Sequence, residues 1–274
     1  MSTSSPRGPY RMNDASAGPG TLFVVRHGES AGNVARNRAN AARDLFIRTA
    51  SRDVDVPLSP LGERQSTALG HWFGALPLDQ RPTVVFTSPY VRARQTTNII
   101  KSLGNFQYES GATRLLIDER FREKEFGILD GLTRYGILER FPEQAAVRTS
   151  LGKFYHRPPG GESWCDVILR LRGAFEMMCR EYHGERILVV AHSVVVLCMR
   201  YIVEGLTEEQ ILRIDRENEV ANCSVTRFDA DLTSGAGGGT AHGLTLDSFN
   251  FVAPLVAEGA AVTSSPDNPE AAER

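Results

Sequence analysis

The chain has little of what usually marks a special environment. Its 274 residues contain four cysteines, Cys165, Cys179, Cys198 and Cys223. None form a C-x-x-C pair, and none join a histidine at zinc spacing, which argues against a structural zinc site. Cys198 lies in the apolar run Val194–Met199 and reads as core packing. Reduced cysteines fit a cytosolic setting. Charge of one sign is also missing: 31 Lys and Arg against 33 Asp and Glu give a net charge of −2. No global field therefore favours nucleic acid, and any bound anion must be held by a local cluster of arginines. Nor is there an apolar run long enough to span a bilayer. The longest candidate, Ile187–Val203, is interrupted by His192 and Arg200. The first twenty residues lack the apolar segment of a signal peptide. These absences predict a soluble, cytoplasmic protein that engages neither membrane nor nucleic acid.

What is present is a strand–helix alternation between two polar ends. Residues 1–20 and 258–274 are rich in Ser, Pro, Ala and Glu and read as disordered tails around one domain, 21–257. Ser234–Gly239 reads as a flexible glycine-rich loop. Leu22–Val25, Val84–Thr87 and Ile187–Ala191 are short, continuously apolar and β-branched, as buried strands are. Ser59-Pro60 and Ser88-Pro89 carry the same helix-start signal, Ser as N-cap and Pro at the first helical position. Thr207 and Gln210 form a capping box. Val220–Phe228 and Leu244–Phe251 read as later strands. The alternation predicts an α/β three-layer sandwich, a central mostly parallel sheet with helices on both faces.

In such sheets ligands sit beyond the carboxyl ends of the strands. Three segments bring polar residues to that edge: Arg26-His27-Gly28, Ser88 to Arg94, and His192-Ser193. The strand assignments alone thus suggest one site with two histidines and at least two arginines. That set suits phosphoryl transfer, which needs a nucleophile, positive groups for the equatorial oxygens and an acid for the leaving oxygen. A neutral imidazole can attack phosphorus through one ring nitrogen if the other is held as a donor.

Val25-Arg26-His27-Gly28-Glu29-Ser30, followed by Asn33, resembles the signature of the histidine phosphatase superfamily, which includes the cofactor-dependent phosphoglycerate mutases and many small-molecule phosphatases. Five further segments, in the same order, resemble that family. They are Leu58-Ser59-Pro60-Leu61-Gly62-Glu63-Arg64-Gln65, Ser88 to Thr96, Arg122 to Gly127 ending at Asp130-Gly131, Pro159-Gly160-Gly161-Glu162-Ser163, and Val189-Val190-Ala191-His192. The resemblance implies a phosphoglycerate mutase-like fold. It implies His27 as nucleophile, Arg26, Arg92 and His192 as the phosphate pocket, Glu123 as general acid, and Asn33 near the substrate. Ser30 and Ser193 join as candidate substrate contacts. No metal and no cofactor are implied. The expected partner is a small phosphorylated substrate, and a homodimer is left open.

Glu125 competes with Glu123 for the acid role, and spacing to Gly127 favours Glu123. Arg94 is two residues from Arg92 and faces elsewhere on a helix. His71, His183 and His242 read as bland, while His156 lies in a loop that could overhang the site. Two departures stand out. Ser193-Val194 follow His192 where the family usually has glycine. Lys124 and Phe126 stand where the mutase branch carries Arg and Tyr, which favours a phosphatase over a mutase. Finally, Val34 to Arg48 forms an insertion that reads helical. Arg36 and Arg43, seven apart, are expected on one face of it, with Arg36 bordering the pocket mouth or merely pairing with nearby acids.

Overall fold

The computed structural model describes residues 18–49, 52–108, 111–112, 114–230 and 243–265. The expected loop at 234–239, His242 and the outermost tail residues lie outside that range. The strands are β1 (Thr21–Arg26), β2 (Val84–Thr87), β3 (Gln107–Tyr108), β4 (Gly111–Ala112), β5 (Arg114–Ile117), β6 (Arg186–Ala191), β7 (Val225–Ala230) and β8 (Leu244–Phe251). The helices are α1 (Ala31–Ala42), α2 (Pro60–Ala75), α3 (Val91–Leu103), α4 (Arg134–Arg140), α5 (Pro142–Tyr155), α6 (Trp164–Glu181), α7 (Ser193–Glu204), α8 (Glu208–Glu217) and α9 (Ala253–Ala257). Six strands form one sheet in the order β5-β2-β6-β1-β7-β8. The first four are mutually parallel, and β7 and β8 are antiparallel. The sheet is thus mixed. β3 and β4 form a separate small hairpin.

The alternation of side chains along the strands sorts two cores. Leu22, Val24, Phe86, Ile187 and Val189 point to one face, where α6, α7 and α8 cover them. Phe23, Val25, Val85, Leu188 and Val190 point to the other, under α2, α3 and α9. Both faces are covered, which is why these strands read as unbroken apolar runs. A third, smaller cluster of Phe126, Leu129, Leu132 and Ile137 sits beneath α4 and α5 and forms a cap. Among the described residues no helix is long and apolar enough to cross a membrane.

The helix signal at Ser59 held although its hydroxyl also donates to Glu29 Oε1 at 2.6 Å. Ser59 Oγ accepts from Gly62 N at the start of α2, with Pro60 at the first position, a cap worth about 1 kcal/mol. Thr207 and Gln210 form their box at α8. Ser88-Pro89 did not start α3, which begins at Val91 after Tyr90. Ser88 Oγ instead lies 2.8 Å from His192 Nε2, so its hydroxyl serves a tertiary contact. The strand expected from Val220 begins only at Val225. Residues 220–224 turn around the end of β1, with Cys223 at φ 52° and its amide donating to Arg26 O.

Part of the expected C-terminal tail belongs to the fold. Ala260 and Ser265 are buried, Gln65 Nε2 donates to Ala261 O and Thr263 Oγ1, and Arg26 holds Ser265 O. Residues 258–265 therefore pack on the domain. The insertion is helical only to Ala42: Arg43 caps α1 in the left-handed region. Arg43 does not join Arg36 at the cavity, and its guanidinium lies over Tyr135, 5.9 Å from the ring centre.

Candidate active site

The carboxyl ends of β1, β6 and β2 deliver His27, His192 and Ser88 to one edge. His27 is held there by its backbone. Its amide donates to Ala191 O, and its carbonyl accepts from Asn222 Nδ2 at 3.0 Å and from Cys223 N. The next two amides are held by α3 and α2: Gly28 N donates to Thr96 Oγ1 and Glu29 N to Gln65 Oε1. α2 approaches so closely that a Cβ on Gly62 would lie 2.0 Å from Glu29 O, so only glycine fits that helix turn.

The His27 ring has a defined tautomer. Nδ1 lies 2.7 Å from Gly28 O. A carbonyl only accepts, so Nδ1 carries the proton and Nε2 keeps its lone pair. Arg92 Nε donates to that Nε2 at 3.2 Å. The His192 ring stands edge-on to His27, 5.1 Å between centres. His192 Nδ1 is 3.8 Å from Glu123 Oε2. Both imidazoles are fully buried.

Glu123 is buried, accepts from Lys124 N at 2.8 Å through Oε1, and borders the cavity. Glu125 instead points outward, with a half-exposed side chain that takes a hydrogen bond from Tyr90. The structure therefore separates the two acid candidates and keeps Glu123 beside His192. The Pro159–Glu162 turn supports this segment. Ile128 N donates to Pro159 O and Glu162 N to Glu125 O. Gly127, at φ +55°, leaves 2.1 Å between a notional Cβ and Pro159 O.

A cavity of about 120 Å³ opens above, lined among others by Asn33, Arg36, Asp53, Arg92, Glu123 and Asp130. Ser30 also borders it, and with Asn33 it forms the capping box that starts α1. Arg36 lies on the wall. Arg26, His27 and His192 do not, and lie behind it; Arg26 Nη1 and Nη2 donate to Val220 O at 2.5 Å and Ser265 O at 2.8 Å. Ser193 follows His192 as the first residue of α7 and is not among the lining residues. His156 is buried under the cap and likewise does not line the cavity. Arg94 is exposed, as its spacing predicted.

Sequence reasoning did not single out Asp53 and Asp130 as site residues. Asp53 Oδ2 pairs with Arg92 Nη2 at 3.0 Å, and Asp53 O accepts from Arg92 Nη1 at 2.6 Å. Asp130 is raised above the usual carboxylate range, first by loss of solvation between the cavity walls and then by the charge of Asp53, although its rim side stays open to water. Tyr90, packed against His192, is raised by burial and by Glu125. The buried thiols are raised by burial too, Cys223 to about 12 and Cys179 to about 11, which leaves them inert as nucleophiles. Among the described residues no group of three His, Cys, Asp or Glu side chains could hold a metal ion.

Residues 22–236 match the histidine phosphatase superfamily (branch 1). The chain belongs to that superfamily. It is 30% identical over 78% of its length to a 2,3-bisphosphoglycerate-dependent phosphoglycerate mutase of Allorhizobium ampelinum, covering 92% of that protein. Among solved structures it resembles an alpha-ribazole phosphatase from Shigella flexneri, with TM-score 0.62 and 19% identity, covering 84% of this chain and 96% of that one. It also resembles a mycobacterial glucosyl-3-phosphoglycerate phosphatase in complex with VO3, with TM-score 0.61 and 21% identity, covering 84% and 99% of the two chains. These structural likenesses establish the phosphoglycerate mutase-like fold. The superfamily's relatives here include both mutases and phosphatases.

Proposed function

We propose that the protein hydrolyses a phosphomonoester through a phosphohistidine on His27. The observation that carries this reading is the His27 ring: Nδ1 donates to Gly28 O, so the lone pair on Nε2 faces the guanidinium of Arg92. Nε2 would attack phosphorus as the bond to the leaving oxygen breaks. Arg92 and His192 would hold the equatorial oxygens, where charge develops. Glu123 would give its proton to the leaving oxygen, then take one from the water that attacks the phosphohistidine. Arg26 would also tie the end of β1 to residues 220 and 265 through its terminal nitrogens. The positive groups are side chains, so activity should survive excess chelator.

A second reading, phosphoryl return to substrate, is favoured by the curated mutase relatives. Against it, Lys124 is buried with its ammonium 4.3 Å from the Phe126 ring centre, a pair unlike the Arg and Tyr of the mutase branch. Rapid quenching with a phosphomonoester should leave the phosphoryl group on His27, and His27→Ala should abolish both label and turnover. Inorganic phosphate should be released without any bisphosphorylated cofactor. A label on His192 would reverse the two histidine roles, and a strict need for the cofactor would favour the mutase.

A further inference from the structure

The cavity contains a carboxylate that this mechanism does not use. Asp53 lies on the short turn Asp53–Asp55, just before α2 in the chain. It occupies both terminal nitrogens of Arg92, one through its side chain and one through its carbonyl. The third nitrogen of Arg92 sits on His27 Nε2. Each of the three nitrogens of Arg92 therefore already has a partner within the protein. The Arg92 side chain is 6% exposed and that of Asp53 42% exposed, so the carboxylate enters from the solvent side. Below it, His27 has no exposed surface at all. The volume left, about 120 Å³, is less than the ~300–1,000 Å³ common for small-molecule sites. A phosphoryl group that takes the Arg92 Nη2 donor must displace the Asp53 carboxylate from it.

We propose that Asp53 is a resident competitor for the phosphoryl subsite, displaced by substrate, which sets the charge and size of the anion that the site admits. This rests on the reading of Arg92 as a phosphoryl ligand. The exchange has a clear direction. A dianionic phosphoryl group brings two charges and three oxygens to Arg92 and His192, where Asp53 brings one charge and two side-chain oxygens. A small monoanion gains nothing by replacing it. A substrate with further groups on the walls at Arg36 adds binding that free phosphate lacks. Asp53 therefore costs substrate and product the same displacement, but only the substrate has wall contacts to offset it, so the carboxylate speeds emptying of the site.

Calorimetric titration with inorganic phosphate tests this on the full chain. Asp53→Asn should bind phosphate roughly fivefold tighter, the scale of one partly exposed ion pair. Asp53→Ala, which also removes the amide oxygen that could still accept from Arg92, should tighten binding at least as much. Asp55→Asn is the control. It removes the same charge two residues away, where the partner is Arg52 rather than Arg92, and should shift phosphate affinity less than twofold. Equal gains for both positions would mean a general field effect and overturn the proposal. Unchanged or weaker binding in both Asp53 variants would make Asp53 a support for Arg92 and equally overturn it. Phosphate that binds none of these proteins would sink this inference and the function it rests on. The phosphoryl label on wild-type His27 tests that function separately, because it stands whatever the Asp53 variants do.

Discussion

At the floor of the site, behind Arg92, His27 is fixed by hydrogen bonds that its own backbone and the amides of Gly28 and Glu29 make with β6, the 220–224 turn, α3 and α2. At the rim, Arg36 comes from α1 and Arg52 and Asp53 from the segment between α1 and α2, and this region meets the cap through different contacts. There Ile47 N donates to Gly131 O and Thr133 N to Leu45 O, so two stretches almost ninety residues apart form one wall. The floor is rigid because each group that could move is tied to a sheet or helix end. The rim depends on partly exposed side chains, which hold their places weakly. Chemistry placed on the floor and selectivity placed on the rim should therefore respond differently to substitution: kcat at the floor, KM at the rim.

The largest effect expected from the remaining residues is at Glu123. Glu123→Gln removes the proton donor but keeps the buried shape. Turnover of alkyl phosphates, whose leaving oxygen needs that proton, should fall by about 10²–10⁴-fold. An activated aryl phosphate should lose far less in the phosphorylation step. Steady-state and single-turnover rates for both substrates check this. Equal losses would remove Glu123 from the acid role and bring back Glu125, despite its outward position.

The same contrast explains what the sequence made legible. Strands ending in Arg26-His27 and Ala191-His192 are local signals: apolar β-branched runs cut by polar residues, in an order that only one sheet edge can collect. Ser59, Gly62 and Gln65 could be recognised as a helix start, but their service to Glu29 and the 261–263 segment could not, since those partners are far along the chain. Ser88 was misread for the same reason, its hydroxyl being taken by His192. Residues 220–224 carry strand-like residues, yet their amides are drawn to Arg26 and His27, and a turn results. Asp53 had no signal at all. It is one acid among several in an exposed stretch, and only the fold brings Arg92 under it.

A middle-sized effect should come from Glu162, which lies outside the cavity but supports its acid. Its carboxylate accepts from Arg122, from Arg170 and from Glu125 N. Arg170 in turn donates to Arg120 O and, at 3.2 Å, to Glu123 O. Glu162→Gln leaves two arginines short of charge, and breaking such a pair from one side costs about 3–5 kcal/mol when fully buried, less here. Thermal stability alone would not prove a positioning role. The telling readout is the leaving group: about tenfold lower kcat for alkyl phosphates with little change for aryl phosphates would copy Glu123→Gln in miniature. A uniform loss for both would make Glu162 purely structural.

The smallest effect belongs to the rim. Arg36 lies on α1 one turn beyond Asn33 and borders the cavity, beside Asp130, which opens to the same space. Arg43 lies beyond the helix end, so Arg36 is the α1 arginine that a substrate would meet. Its charge is partly balanced by Asp130, whose own carboxyl is held up by loss of solvation and by Asp53, so the field it offers an incoming anion is reduced. A remote contact of this kind binds ground state and transition state alike and should appear in KM with kcat unchanged. Arg36→Ala should raise KM about three- to fivefold for a phosphomonoester bearing a second anionic group, the scale of one partly exposed ion pair. It should leave KM for a small aryl phosphate within experimental error. If kcat falls for both substrates instead, Arg36 reaches into the reaction centre, and the division between a chemical floor and a selective rim does not hold at this position.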